Sequence, residues 1–280
     1  MKPGNDMPCG AASSLTPTLP PASLLSTARR VGSARAANTL SRSSSEYLTI
    51  GFSISPARTA CQAPYTFVMD LGLTPAEARL LKRLNTPRKI QAFLHDLKQN
   101  FELDGECCRP VRDVLRTRSA HCIEGAMLAA AALWLNGEPP LLLDMRAERD
   151  YDHVVALFKR QGCWGAMSKT NGVGLRSRDP VYRSLRELAM SYFHEYTNRA
   201  HHKTLREYSV PYDLRRLDPG IWLTGTKLKG RKKNAWEVAE ALDELRHFRL
   251  VGKRQLSGVT RRDPFERRLG GVSQYRRPKR

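Results

Sequence analysis

The 280-residue sequence has few cysteines, and none of them shows the spacing of metal ligands. The six cysteines stand at positions 9, 61, 107, 108, 122 and 163, without a CxxC pair and without a zinc-finger spacing of cysteine and histidine. Adjacent cysteines such as Cys107 and Cys108 are a poor pattern for a metal site or a disulfide. The pattern indicates free thiols in a reducing compartment, and we expect neither a metal nor a cofactor.

Long apolar runs are absent as well. A membrane-spanning helix needs about 18 or more consecutive apolar residues, and the longest candidate, residues 126–135, is too short and too rich in alanine. We therefore expect a soluble, cytoplasmic protein without a membrane span. Hydrophobic residues nevertheless make up 41% of the chain, which permits a sizeable core and excludes wholesale disorder.

Charge is distributed unevenly along the chain, and acidic residues are scarce at its start. Residues 1–62 are rich in serine, alanine and proline, so we expect a disordered tail there. Residues 201–280 carry +12 of the net charge of +20, whereas residues 116–200 carry +3. We therefore predict a core at residues 63–200, followed by a basic extension that is partly ordered.

The basic extension has two possible uses. It contains blocks of positive charge such as residues 227–233 and 276–280. Blocks of this kind are most often solvated and raise solubility. The alternative is a weak contact with nucleic acid or another polyanion, which salt would weaken strongly. No zinc-finger pattern or RNA-recognition signature accompanies the blocks.

Helix-start signals stand at two points in the first half of the chain. Thr74 and Glu77 have the spacing of a capping box, with proline at the first helical position. This predicts a helix over residues 74–84. Thr86 begins a second helix, whose 3, 4, 7 apolar spacing continues as far as Phe101.

The centre of the chain predicts one long helix and then a sheet. An Ala/Leu-rich helix covers about residues 120–135, and three strand-like runs follow at residues 140–146, 153–159 and 163–169. Between the last two runs lies a two-residue turn, Gln161-Gly162, as in a hairpin. A helical lead-in packed on a small antiparallel sheet is an α+β fold. Further helices are predicted over 180–196 and 236–245.

The long helix carries a cysteine at its start. Cys122 stands where the unpaired amides and the helix dipole stabilise a thiolate, which lowers a thiol pKa. His153 opens the second strand-like run. Cysteine and histidine together are the constituents of a nucleophilic pair. His121 and Glu124 flank the cysteine. We expect His121 to be a surface residue and Glu124 to be a partner of the helix dipole.

This order of motifs resembles the transglutaminase-like superfamily of papain-like cysteine enzymes. Cys122 and His153 match the first two positions, and the stretch from Trp164 to Thr170 matches the third motif in spacing. The resemblance covers about residues 75–200. It implies that the thiol attacks the acyl carbon of a carboxamide or peptide bond, that the histidine transfers the proton, and that Trp164 is a wall of the substrate site.

The chain departs from the family at the third motif. The resemblance places Ser168 where the family has the aspartate that orients the histidine. Asn171, Asp152 and Asp144 are the other candidates for this role, although Asp152 should point to the opposite face of its strand from His153. The catalytic set is therefore Cys122 and His153 with Ser168 or Asn171. The alternative to an enzyme is a binding protein on a degenerate scaffold, whose basic extension holds a polyanion.

Overall fold

Two threonine-capped helices begin the part of the chain that the computed structural model describes, residues 71–230 and 233–278. The tail predicted for residues 1–62 lies outside the described residues. Helix α1 (Pro75–Arg83) has the predicted capping box, with the Thr74 side chain accepting from the backbone N–H of Glu77. Helix α2 (Pro87–Asp96) is capped by Thr86 in the same way.

Helix α2 is shorter than its apolar spacing predicts. Leu97 is extended, and Lys98–Gln99 forms strand β1, which pairs in parallel with β2 (Ser119–Ala120). The prediction that the helix reaches Phe101 is therefore wrong. The short parallel pair replaces the last helical turn, and it holds the chain that leads into the cysteine helix.

Helices α3 (Val111–Thr117) and α4 (Cys122–Leu135) follow. Eleven of the fourteen residues of α4 are buried, in agreement with its apolar sequence. Gly125 allows a close approach, since a Cβ atom there would lie 2.4 Å from the Cβ atom of Lys169. Helix α4 is therefore a central element that contacts several others.

The predicted antiparallel meander is confirmed. Its strands are β3 (Leu141–Ala147), β4 (His153–Arg160) and β5 (Cys163–Met167). Gln161 and Gly162 between the last two strands both have positive φ, 49° and 80°, as a type I′ hairpin turn requires. The protein thus mixes helices with an antiparallel sheet.

The predicted helix over residues 180–196 is largely wrong. Residues 178–182 form strand β6 (Arg178–Tyr182), and only α5 (Leu185–Met190) is an α-helix in this stretch. Strand β6 lies at the edge of the sheet, where Pro180 does not remove a hydrogen bond from a central ladder. The Ser184 side chain then caps α5.

The chain after residue 200 completes the same sheet. Strands β7 (Leu205–Ser209), β8 (Tyr212–Asp213) and β9 (His247–Arg249) give a seven-stranded sheet of order β6-β5-β4-β3-β7-β9, with β8 also on β3. A short 3₁₀ helix (Leu214–Arg216) and four α-helices accompany them: α6 (Pro219–Trp222), α7 (Trp236–Asp243), α8 (Lys253–Leu256) and α9 (Pro264–Gly270).

Among the described residues, the segments before and after the predicted boundary at residue 200 share one sheet, since β7 pairs with β3. Leu205, Leu214 and Trp222 are fully buried, so this segment contributes to the core despite its charge. The helix predicted at residues 236–245 is confirmed as α7.

Both faces of the sheet are covered. Alternate residues of β4 belong to two hydrophobic clusters, one shared with α1 to α4 and the other with α5. This explains the nearly continuous apolar sequence of β4. Among the described helices, none has the length and apolar character that crossing a membrane requires.

Candidate active site

Cys122 is the first residue of α4, and its side chain is partly accessible. Strand β2 ends two residues earlier and is held by β1, so the entry into the helix is fixed from both sides. The first amides of a helix have no partner within it, and their dipoles favour a negative charge. The predicted position of the thiol at the helix start is thus the observed one.

His153 is the residue that the fold brings to this thiol. It begins β4, on which α4 packs, and only 5% of it is exposed. Its ring hydrogen-bonds to the Cys122 side chain, and its Nε2 atom lies 2.8 Å from Oγ of Ser168. The structure therefore places three of the predicted residues in one chain of contacts.

The hydrogen atoms of this chain can be assigned. Ser168 Oγ donates its only proton to the carbonyl oxygen of Leu175, at 2.6 Å. It must then accept from Nε2–H of His153. The Nδ1 atom is left to face the sulfur, where it can hold or release a proton.

Two histidines change the acidity of the Cys122 thiol. Burial alone raises its pKa, but hydrogen bonds from His121 and His153, with their positive charges, hold the pKa well below its usual value. Cys108 shows the opposite effect, because burial raises its pKa well above the usual value. The environment therefore favours the thiolate at position 122.

Ser168 is itself held in place. Its backbone N–H donates to Oε1 of Gln91 at 2.9 Å, and its carbonyl oxygen accepts from Nε2 of the same amide at 2.8 Å. Only 1% of Ser168 is exposed. A serine anchored at three points is a rigid partner for His153, although it supplies no negative charge.

The site opens on a cavity of about 330 Å³. Cys122, His153 and Lys169 line it, together with Gln99. The Oε1 atom of Gln99 is buried and has no hydrogen-bond partner among the described residues. A buried acceptor without a donor is costly, so this oxygen suits an N–H group of a ligand.

Lys169 adds a positive charge to the cavity wall. It is 1% exposed, and its Nζ atom donates to the carbonyl oxygen of Leu97 at 2.5 Å beneath the ring of Tyr275. Burial, with a smaller effect of Arg176, lowers its pKa to about 8. The cavity thus offers both an acceptor and a cation to a bound molecule.

Comparisons with known proteins give no match. No protein-family model matches the chain, and no curated protein matches it. The chemistry of the site is therefore inferred from its own residues.

Asn171 does not orient His153. It lies at the cavity, but its amide group donates to the carbonyl oxygen of Tyr275 and accepts from the Tyr275 N–H, each at 2.9 Å. The C-terminal segment thus occupies the Asn171 side chain, which the sequence analysis offered as an alternative partner for His153. Ser168 alone of the two occupies the orienting position.

Trp164 is not among the residues that line this cavity, and its role in substrate binding stays a prediction. It lies four residues before Ser168, about 13 Å away along an extended strand. There it pairs with Lys159 and Tyr182 in the sheet, with the Lys159 Nζ atom 5.0 Å from its ring centre.

The two aspartates are also engaged elsewhere. Asp144 lies 3.0 Å from Nε2 of His247, and burial raises its pKa to about 6 against the effect of this partner. Asp152 accepts from the backbone N–H of Ala147 at 2.8 Å. Neither carboxylate hydrogen-bonds to His153, whose Nε2 atom faces Ser168.

His121 was expected at the surface, yet its side chain is only 14% exposed. Its Nε2 atom lies 2.8 Å from the carbonyl oxygen of Cys107, and its ring also hydrogen-bonds to Cys122. Glu124 is fully buried and accepts from the His121 backbone N–H at 3.1 Å. The spacing of these two residues is that of a capping box, which is the sequence signal for this pair.

Two groups of described residues have atoms close enough for a metal ion. Glu102, Cys107 and His121 offer ligand atoms within 4.8 Å of one another. The Cys107 N–H already binds the Glu102 carboxylate at 2.9 Å, and the pKa of His121 is about 11. A protonated imidazole cannot bind a metal.

The second group is Asp144, Asp152 and Asp243. The Arg146 guanidinium lies 3.8 Å from Asp144 and 3.6 Å from Asp243. The Arg146 guanidinium therefore already occupies two of these three carboxylates and offsets part of their charge.

The role of Ser168 can be tested against that of Asn171. We expect Ser168→Ala to slow alkylation of Cys122 about tenfold, because a lost buried hydrogen bond costs about 1 kcal/mol or more and releases the His153 ring. Asn171→Ala should change this rate less than twofold. The rates are measured with iodoacetamide at fixed pH. An equal effect of both substitutions would contradict the assignment.

Proposed function

We propose that this chain is a cysteine-dependent enzyme that cleaves or transfers an acyl group from a carboxamide or peptide bond, on a core of the transglutaminase-like type. The observation that carries the proposal is the contact chain Cys122–His153–Ser168 at the start of α4. The order of a cysteine helix, a histidine strand and a third group after the next strand supports the likeness to that superfamily.

The reaction begins with the thiolate. Cys122 attacks the acyl carbon, and its own backbone N–H at the helix start stabilises the oxyanion. His153 then gives its Nδ1 proton to the leaving amine. The C–N bond breaks, and a thioester remains on the sulfur. Water or a second amine resolves the thioester and returns a proton to His153.

Ser168 keeps the histidine in the productive orientation. Because its hydroxyl accepts from Nε2–H, it fixes which nitrogen faces the sulfur. A neutral acceptor stabilises the imidazolium less than a carboxylate would. Because this chain has a serine where a carboxylate would carry a negative charge, other groups at the site must stabilise the charged forms of Cys122 and His153.

The cavity indicates what part of a substrate lies near the thiol. Oε1 of Gln99 is suited to an amide N–H, and the Lys169 ammonium is suited to a carbonyl or carboxylate oxygen. A peptide or protein amide presents both kinds of group. In the part of the chain that the structure describes, the residues lining this cavity do not include the basic residues of the C-terminal charged blocks.

The reactivity of the thiol tests the proposal. We expect iodoacetamide to alkylate Cys122 at pH 6 at least tenfold faster than the other described cysteines, because the pKa of the Cys122 thiol is held well below its usual value. Site-resolved mass spectrometry measures each thiol, so Cys107, Cys108 and Cys163 are internal controls. Cys122→Ala should remove the fast phase.

A binding protein would give a different result. Uniform slow alkylation of all thiols, together with salt-sensitive retention on heparin, would contradict the enzyme and support the alternative of a polyanion-binding scaffold.

A further inference from the structure

His121 is a charged group at the reacting sulfur that the proposed mechanism does not yet use. We propose that His121 is a second imidazolium on the Cys122 thiolate, which keeps the sulfur ionised after His153 has released its proton. This inference rests on the proposed function, and it assigns a catalytic role to a residue outside the matched motifs.

The geometry determines which ring atom serves which partner. Nε2 of His121 lies 2.8 Å from the carbonyl oxygen of Cys107. The other ring nitrogen, Nδ1, is therefore the one available for the hydrogen bond to Cys122. Because His121 is the residue directly before the helix, its side chain lies beside the first helical residue, and it lines the same cavity as Cys122.

The partners of the ring require two protons. The carbonyl oxygen of Cys107 has no hydrogen to donate, and the Cys122 sulfur has none once it is ionised, so with a thiolate at position 122 both ring nitrogens must donate. Only the imidazolium can do this. The carboxylates of Glu124 and Glu102 lie 3.5 and 3.8 Å from Nε2, and they offset the positive charge.

The buried surroundings keep this charge in place. Arg109 faces Glu124 at 2.8 Å, and Cys107 and Cys122 are the other titratable groups beside the ring. Burial alone lowers the pKa of His121, but its hydrogen bonds and the nearby negative charges raise it to about 11. The ring therefore stays protonated through neutral pH.

Two imidazoles with different tasks follow from this arrangement. His153 borders the cavity and hydrogen-bonds to a neutral serine, so it can release its proton to the leaving amine. His121 is held by acceptors at both nitrogens and retains its protons. When water or an amine attacks the thioester, that nucleophile gives its proton to His153, the C–S bond breaks, and the departing thiolate is received by Nδ1–H of His121.

The matched variants His121→Asn and His121→Gln test this role. The Asn amide nitrogen occupies the place of Nδ1 and keeps a neutral donor on the sulfur, and asparagine is a favourable residue before a helix. Gln places its nitrogen near Nε2 and leaves the sulfur contact. Neither side chain carries a charge, so both variants remove the positive charge at position 121 while keeping a polar side chain there.

The readout is the rate of iodoacetamide alkylation of Cys122 from pH 4 to 9. We expect the acid limb of the profile to move up by about one to two pH units in both variants, and further for Gln than for Asn. At pH 5 this is a loss of about ten- to a hundredfold. Circular dichroism confirms that the variants are folded.

Two failures can be told apart. A wild-type profile with its limb near the value of an ordinary thiol, about pH 8.5, would overturn the proposed function together with this inference. A low wild-type limb that neither variant moves would overturn the role of His121 alone and leave the pair of Cys122 and His153 intact.

Discussion

Replacing His153 by alanine is expected to lower the rate of acyl-enzyme formation from an amide by about a thousandfold. The substitution removes the proton donor for the leaving amine, and positioned acid–base groups contribute about 10²- to 10⁴-fold. It also removes one of the two hydrogen bonds that lower the pKa of the Cys122 thiol. The measurement is single-turnover acylation with a p-nitroanilide.

The leaving group separates these two effects. In a p-nitrophenyl ester with the same acyl group, the p-nitrophenolate leaves without needing a proton. His153→Ala should therefore slow acylation by the ester much less than acylation by the anilide. His202, which is exposed, provides the matched control, and His202→Ala should leave both rates unchanged. Equal losses for the two substrates would show that His153 does not transfer the proton.

Glu124→Gln is expected to lower the free energy of unfolding by about 3–5 kcal/mol, because removing one member of a buried ion pair leaves the other charge without a partner. The Glu124 carboxylate is fully buried and accepts from Arg109 Nε and Nη2 at 2.8 and 2.9 Å. It also accepts from the backbone N–H groups of Arg109 and His121. Urea unfolding at pH 7 measures the loss.

An exposed ion pair is the control for this effect. Arg116 and Asp113 lie 3.1 Å apart, and 71% of the Arg116 side chain is exposed. Asp113→Asn should cost less than about 1 kcal/mol. A loss at Glu124 as small as this would contradict the view that the buried carboxylate organises the start of α4.

The pH dependence of the Glu124 effect has a defined sign. Burial raises the pKa of this carboxyl, but the hydrogen bonds from Arg109 and the charge of His121 outweigh burial, so its pKa is lowered. A lowered folded pKa contributes stability above the unfolded value, about 4.3, and this stability is lost as the pH falls further. The difference in stability between the wild type and Glu124→Gln should therefore shrink below about pH 4.

Much of the candidate site was accessible from local patterns. The start of α4 at Cys122 follows from the helix signals, and His153 opens a strand whose alternation and flanking turns are visible in the sequence. These two positions depend on residues within a few places of one another, which is the range over which helix and strand preferences act. The third position, Ser168, is implied only by the family resemblance.

The errors share a physical cause. Asn171 hydrogen-bonds to Tyr275, more than a hundred residues away. Pro180 lies in an edge strand because residues 178–182 pair with β5 and extend the sheet. Neither fact follows from local propensity. The motif places Trp164 near the site, but the residues that line the cavity at the thiol come from other parts of the chain.

By itself, the sequence determined the capped helices, the antiparallel meander and the positions of Cys122 and His153 at element starts, since these depend on short-range periodicity and hydrogen bonding. Only the tertiary structure decided that Ser168 is the partner of His153, that His121 contacts the sulfur, and that β7 lies beside β3 in the sheet. Those outcomes depend on which distant groups share a buried space, where each polar atom must find a partner.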